Sequence, residues 1–213
     1  VYLAQQDDLD RRVALKIIRP EHLFFPGARE RFRREVETIA RLSHPGIVPV
    51  YSVGEDGGVP WFAMELVDGC SLADVLDELR ARGASAAELV ARDLAESVAR
   101  LAGGEPDREG WLFAGSWEAA CLRIVRQVAE AVEHAHRLGI QHRDLKPSNV
   151  LVDAALRPRI LDFGLSGSDP ARGHLRGTPA YMAPEQLDPA NPIDARTDVY
   201  ALGVILYELL CGV

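Results

Sequence analysis

Cysteine is scarce in this chain, which has three in 213 residues: Cys70, Cys121 and Cys211. They lie far apart and form no C-x-x-C pair, so the sequence indicates neither a disulfide framework nor a zinc site. A long apolar run is also missing, because the longest one, residues 199–213, contains Glu208 and is too short to span a bilayer. The cysteine usage favours a reducing compartment, and we expect the chain in the cytoplasm.

An excess of positive charge is missing too. The formal net charge is −8, which argues against nucleic acid as the main partner. Hydrophobic residues make up 47% of the chain and charged residues 26%, as in ordinary soluble globular proteins. The length is sufficient for a sizeable core. We therefore expect a folded domain with no nucleic-acid partner.

One polar stretch stands out against this ordinary background. Residues 142–149 read H-R-D-L-K-P-S-N, and residues 162–164 read D-F-G. Apolar sequence flanks both, at 128–140, 150–152 and 160–161. Buried charges cost several kcal/mol unless they are paired or bound to a metal, so charged groups set between core segments indicate a functional site.

The spacing H-R-D-x-K-x-x-N followed by D-F-G resembles the catalytic and metal-binding loops of eukaryotic-type protein kinases, in the serine/threonine branch and its bacterial members. The resemblance implies that Asp144 accepts or orients the proton of the substrate hydroxyl. It implies that Lys146 neutralises charge on the transferred phosphoryl group. Asn149 and Asp162 would hold Mg²⁺ or Mn²⁺, which prefer oxygen ligands.

A lysine on a predicted strand gives the second part of the site. Residues 13–18 alternate as a strand and resemble the kinase V-A-I-K motif, whose lysine, here Lys16, holds the α- and β-phosphates of ATP. The apolar stripe of the helix predicted over residues 26–42 also carries Glu35, which the resemblance pairs with Lys16. Glu37, which lies off that face, is the alternative partner.

The resemblance also implies an adenine pocket and a hinge between two lobes. Two strands, 47–53 and 59–66, are joined by a turn and followed by V-D-G at 67–69. In the hinge, Met64 would control the back pocket, and the backbone of Glu65 and Val67 would bond adenine. The residues expected to enclose adenine are Val1, Ala14 and Leu151. Val1 would follow a glycine-rich loop that the sequence does not contain.

Several further segments complete the comparison with the family. Helices are predicted at 71–82, with Ser71 as the cap, and at 117–138. Residues 84–116 lie where the family has a short link, and we interpret them as a surface insertion with helical composition at 86–101 and no assigned role. Trp111 and Phe113 are its only hint of docking.

The segment after D-F-G resembles an activation segment that ends in A-P-E at 183–185. Thr178 is expected to contact Asp144 and Lys146. Residues 173–176, where the usual phosphate acceptor lies, contain no hydroxyl, so we expect no phosphate there. A dimer is one alternative way to order the segment.

The helix expected to begin near Asp198 is apolar nearly all round and is predicted to be buried. Asp198 would hold the backbone near His142. Glu185 has no evident partner in the sequence.

We therefore predict an α+β fold of the two-lobed protein-kinase type, with a small β-rich lobe at 1–66 and a larger helical lobe at 67–213, incomplete at both ends. The predicted function is transfer of the ATP γ-phosphoryl group to serine or threonine of protein substrates, with weak activity in the isolated chain. The alternatives are a catalytically impaired kinase-like scaffold and a small-molecule kinase of the aminoglycoside type. A membrane tether would lie outside these residues.

Overall fold

The computed structural model describes residues 1–18, 28–105, 115–163, 178–188 and 190–211. The predictions for Trp111 and Phe113, for Gly164 and for residues 173–176 lie outside the described residues. None of the helices in the described ranges is both long and apolar enough to cross a membrane.

A four-stranded antiparallel sheet forms the first part of the chain, in the order β1-β2-β4-β3. Its strands are β1 (Tyr2–Gln6), β2 (Arg11–Ile17), β3 (Val50–Asp56) and β4 (Val59–Glu65). Gly57 and Gly58 connect β3 to β4 with φ of 54° and 79°. Two positive φ values in a two-residue hairpin turn are the geometry that glycine permits, which explains the Gly-Gly pair.

Helix α1 (Ala28–Ile39) packs on this sheet through the face that the sequence predicts. Phe32 and Val36 are buried with Phe62 and Met64 of β4 in a small apolar cluster. Ala14 of β2 belongs to the same cluster, because it lies opposite Met64 in the register. The small sheet thus has one covered face, on which the side chain of Lys16 also lies by alternation.

A larger core lies among the helices that follow. These are α2 (Leu72–Ala81), α3 (Ala91–Ala102), α4 (Trp117–Arg137), the short α5 (Pro184–Leu187) and α6 (Ala195–Cys211). Ser71 caps α2 as predicted, since its Oγ accepts from Asp74 N at 3.1 Å. Trp117 is 1% exposed, and its indole nitrogen donates to Leu209 O at 2.7 Å, which joins α4 to α6.

The prediction of a surface segment over residues 84–116 is wrong for α3. Leu94, Ala95 and Val98 are each 1% exposed and belong to the larger core. Their spacing places them on one stripe of the helix, which contacts α2 and α4. The segment therefore contributes apolar surface to the core.

The prediction for α6 is correct on one face only. Ala201, Ile205 and Leu209 are buried, whereas Val199 and Tyr207 are 60% and 64% exposed. An apolar composition on all sides predicts burial on all sides, but the described residues cover one face of this helix.

A second sheet links the two parts. It has three short strands in the order β5-β6-β7: β5 (Gly69–Ser71), β6 (Val150–Asp153) and β7 (Pro158–Ile160). Val48 N donates to Ile160 O at 3.0 Å, and Ile160 N donates to Gly46 O at 2.8 Å. Strand β7 is therefore bonded to the loop that leads into β3 of the first sheet.

Candidate active site

The predicted catalytic loop, residues 142–149, follows α4, which ends at Arg137. Gly139 stops the helix with φ of 75°, a value that favours glycine. The loop backbone is then held by Asp198, which is 1% exposed and accepts from His142 N and Arg143 N, each at 2.8 Å. The predicted anchoring role of Asp198 is confirmed.

His136 is a partner of Asp198 that the sequence analysis missed. His136 lies on the last turn of α4, and its Nε2 is 2.7 Å from Asp198 Oδ2. A histidine in a helix gives no local signal of this contact, because the contact depends on how α4 and α6 pack.

His142 fixes the loop from the other side. It is fully buried, with Nε2 at 2.8 Å from Leu161 O, while Nδ1 accepts from Asp144 N at 3.3 Å. One donor and one acceptor suit the neutral imidazole. Burial lowers the pKa of His142, which favours the same neutral form. Its ring centroid lies 4.8 Å from that of Phe163, so the loop is packed against the segment that follows β7.

Asp144, Lys146 and Thr178 form the centre of the site. Lys146 Nζ lies 3.0 Å from Asp144 Oδ2 and donates to Thr178 Oγ1 at 2.8 Å. Thr178 N donates to Asp144 Oδ1 at 3.3 Å. The predicted contacts of Thr178 are thus confirmed, and they join the loop to the segment that precedes α5. The side chains of Asp144 and Lys146 are 20% and 23% exposed, so the carboxylate is accessible to a ligand.

Asn149 and Asp162 are the predicted metal ligands. Asn149 Nδ2 donates to Asp144 O at 2.8 Å, which orients the amide. Asp162 Oδ2 accepts from Lys16 Nζ, but its Oδ1 is buried without a hydrogen-bond partner in the described part of the chain. A buried carboxylate oxygen without a donor is costly, and a bound cation would satisfy it. The residues therefore fit a magnesium site completed by phosphate and water oxygens. The described residues contain no group of three or more His, Cys, Asp and Glu side chains that could hold a metal by itself.

Lys16 forms a different ion pair from the predicted one. Its ammonium group pairs with Asp162, and the Lys16–Glu35 pair is not formed among the described residues. Lys16 lies on β2, and its ammonium group pairs with the carboxylate of Asp162, which lies in the segment after β7. Glu35 is half-buried on α1. Its catalytic role stays a prediction, as does that of the alternative, Glu37, which is exposed and pairs with Arg33.

The predicted adenine residues are only partly brought together. Ala14 and Met64 are 8% and 6% exposed in the small apolar cluster, and Val67 packs against it. Leu151 is half-buried in β6, and Val1 is 74% exposed; within the described residues neither belongs to that cluster. The side chain of Glu65 pairs with Arg159 at 2.7 Å, a contact that the sequence did not indicate.

The segment around α5 has partners that the sequence analysis missed. Thr197 Oγ1 donates to Glu185 Oε1 at 2.9 Å, which corrects the expectation that Glu185 lacks a partner. Gln186 Nε2 donates to Arg143 O at 2.9 Å. The segment is therefore attached both to α6 and to the catalytic loop.

A further network holds Tyr181 beside this segment. Glu208 accepts from Tyr181 OH at 2.6 Å and from Arg80 Nη2 at 2.7 Å. Burial and the neighbouring carboxylate raise the pKa of Tyr181, so it remains a donor at neutral pH.

A lysine-bearing sheet that faces an Asp–Lys–Asn loop defines a class of phosphoryl-transfer protein. The comparisons with known proteins agree with this class. A sequence model of the protein kinase domain matches residues 114–213. The kinase domain of PknI from Mycobacterium tuberculosis superposes with a TM-score of 0.69 at 30% identity, over 99% of this chain and 68% of that one. The chain belongs to the protein kinase family, and the predicted two-lobed α+β fold type is confirmed.

The curated relatives are bacterial serine/threonine kinases. The DNA damage-responsive serine/threonine-protein kinase RqkA of Deinococcus radiodurans is 40% identical over 221 residues, which is 100% of this chain and 28% of that protein. The serine/threonine-protein kinase PknB of Mycobacterium leprae is 33% identical over 222 residues, which is 100% of this chain and 30% of that protein. The chain thus spans less than a third of the length of these relatives.

Proposed function

We propose that this chain transfers the γ-phosphoryl group of ATP to serine or threonine hydroxyls of protein substrates. The observation that carries the proposal is the contact of Lys146 with both Asp144 and Thr178. It places a carboxylate, an ammonium and a hydroxyl within hydrogen-bond distance at one point. The side chain of Asp144 is 20% exposed, so a substrate hydroxyl can approach the carboxylate from solvent.

Each side chain of the catalytic loop has one task in this reaction. Asp144 accepts or orients the proton of the substrate hydroxyl, which increases the nucleophilicity of the oxygen. Lys146 stabilises the negative charge of the phosphoryl group during transfer. Both groups are held before substrate binds, because His142 and Asp198 fix the loop backbone.

The nucleotide and metal are assigned to the groups around Lys16. Asn149 and Asp162 would hold Mg²⁺ or Mn²⁺, whose charge offsets that of the phosphates. Lys16 would bind the α- and β-phosphates. Glu35, which is half-buried on α1, is the proposed second carboxylate partner of Lys16 when nucleotide is bound.

Adenine is proposed to bind between the lobe of residues 1–66 and the lobe of residues 67–213, with residues 84–116 as an addition to the second. The backbone of Glu65 and Val67 would bond its edge, and Met64 would close the back of the pocket. The apolar residues proposed to enclose its faces are Val1, Ala14 and Leu151.

The experiment that tests this function separates two carboxylates in the full-length protein. Asp144→Asn should abolish phosphorylation of a generic protein substrate and leave Mg-ATP binding nearly intact. Asp162→Asn should weaken Mg²⁺-dependent ATP binding instead. The control is Asp8→Asn, an exposed position remote from the loop, which should change neither.

The outcomes also decide between the alternatives. Equal loss of ATP affinity in both variants would contradict the division of roles. ATP binding without transfer in the wild type would indicate a scaffold, and transfer to an aminoglycoside in place of a protein would indicate a small-molecule kinase. We further predict that these residues lie in the cytoplasm, that the longer protein carries a membrane tether, and that it forms a dimer. Fractionation of the full-length protein tests the first two predictions, and light scattering tests the third.

A further inference from the structure

We infer that Arg159 is a positioning residue for the nucleotide, which acts through the side chain of Glu65. The inference rests on the proposed function, in which the backbone of Glu65 bonds adenine. Arg159 lies in the middle of β7, opposite Leu151 of β6, and its side chain is 14% exposed. None of the catalytic roles assigned above accounts for a half-buried arginine at this place.

The contact between these two residues joins distant parts of the chain. Arg159 Nη2 donates to Glu65 Oε2 at 2.7 Å across a sequence separation of 94 residues. The side chain of Glu65 is 30% exposed and that of Arg159 is 14% exposed, so the pair is partly shielded from solvent. A charge-assisted hydrogen bond of this length in a sheltered place is stronger than an ordinary surface pair.

The burial of Arg159 is only partly compensated. Its Nε is buried without a hydrogen-bond partner among the described residues. A buried donor that lacks an acceptor costs free energy, so packing alone would favour an apolar side chain at this position. The presence of an arginine at this position is therefore best explained by the hydrogen bond from its Nη2 to Glu65 Oε2.

The backbone of Glu65 is fixed from a second direction by the same strand. Glu65 N donates to Pro49 O at 3.1 Å. Pro49 follows Val48, whose N donates to Ile160 O in β7 at 3.0 Å. Strand β7 thus supports Glu65 in two ways, through the loop before β3 and through Arg159.

This arrangement predicts an effect on nucleotide affinity alone. Glu65 also pairs with Val13 of β2 and donates from its backbone N to Pro49 O, so the guanidinium is one of three contacts that hold the end of β4. Without it, the backbone proposed to bond adenine becomes less ordered before binding. The ordering must then occur on binding, which weakens affinity. Asp144 and Lys146 keep their own supports, so the rate at saturating ATP should be unchanged.

The test compares two arginines of one hairpin in the full-length protein. Arg159→Met should raise the Kd for Mg-ATP, measured by calorimetry, roughly threefold to tenfold at unchanged kcat. The matched control is Arg157→Met, since Arg157 is 62% exposed and pairs with Asp153 at 2.9 Å. This control should leave the Kd unchanged.

Two more variants exclude a merely structural effect. Arg159→Lys keeps the charge and should recover part of the affinity, whereas Glu65→Gln should match Arg159→Met. The double variant should be no weaker than either single variant, because both remove one interaction. Additive losses, an equal loss in Arg157→Met, or a fall in kcat at unchanged Kd would overturn the inference. The wild-type Kd tests the proposed function separately, since a wild type that binds no Mg-ATP contradicts that function whatever the variants do.

Discussion

The two halves of the candidate site are supported in different ways. The catalytic loop rests on the larger core, where the buried side chains of Asp198 and His142 hold its backbone. Lys16 extends from the small sheet, with its side chain 25% exposed and paired with Asp162. The groups proposed to act on the hydroxyl are thus fixed in advance, while Lys16, the proposed phosphate ligand, is held by one ion pair. Removing a support should therefore destabilise the fold at the loop far more than at the lysine.

The largest expected effect is at Asp198. Asp198→Ala removes the acceptor of two backbone donors and of His136, and leaves them in a buried place without a partner. Losing one side of a buried charged network should lower the free energy of unfolding by about 3–5 kcal/mol. Urea denaturation measures this change. Asp194→Asn is the control, since that carboxylate is exposed and pairs with Arg196. An equal shift in both variants would contradict the comparison.

Helix α3 tests how far the core beneath the loop extends. Leu94→Ala should cost about 2–5 kcal/mol, because it leaves a cavity where the side chain is 1% exposed. Leu101 of the same helix is 41% exposed, and Leu101→Ala is the matched control. Thermal melts of both variants measure the difference. If both leave the melting temperature unchanged, α3 is the tolerated surface segment that the sequence suggested.

The pH dependence of stability should report on His142. Burial lowers the pKa of His142 in the fold, an effect that exceeds the opposite influence of Asp198, of the hydrogen bond with Leu161 O, and of Asp144 and Asp162. The unfolded chain therefore takes up the proton first as the pH falls. The contribution of His142 to stability is complete above the unfolded pKa of about 6.5 and is lost below it, by at most about 1.4 kcal/mol per pH unit.

His142→Gln gives the matched comparison for this titration, because glutamine keeps one donor and one acceptor but does not titrate. Urea midpoints at pH 7.5 and 5.5 should fall less in the variant than in the wild type. Burial lowers the pKa of His44 as well, so part of the slope will remain in both proteins. Equal slopes would show that His142 does not titrate in this range.

The difference between the two halves also explains what the sequence could predict. The loop residues are consecutive, so their spacing alone indicated Asp144, Lys146 and Asn149, and family order indicated Thr178 and Asp198. The pair of Lys16 with Asp162 was not predicted, because the choice between Glu35 and Asp162 depends on how α1 sits over the sheet; the pairing with Glu35 stays a prediction. His136 and Arg159 were missed for the same reason, since each meets its partner only through packing between elements distant in sequence. The burial of α3 was missed because the family comparison marked its segment as additional, although its apolar stripe indicated a buried face.

The smallest effect on stability is expected at Lys16. Lys16→Met removes the ion pair with Asp162, but both side chains are about a quarter exposed, so we expect a change within about 1 kcal/mol. The methionine keeps most of the apolar stem, which preserves packing near Phe62. Mg-ATP affinity should nevertheless fall clearly, because the lysine is the proposed phosphate ligand.

Urea denaturation and calorimetry on one preparation measure the stability and the affinity of Lys16→Met. The control is Arg12→Met, which removes an exposed cation from the same strand. A loss of stability as large as that of Asp198→Ala would show that the small sheet supports its site residue as firmly as the larger core does, and would remove the contrast between the two halves.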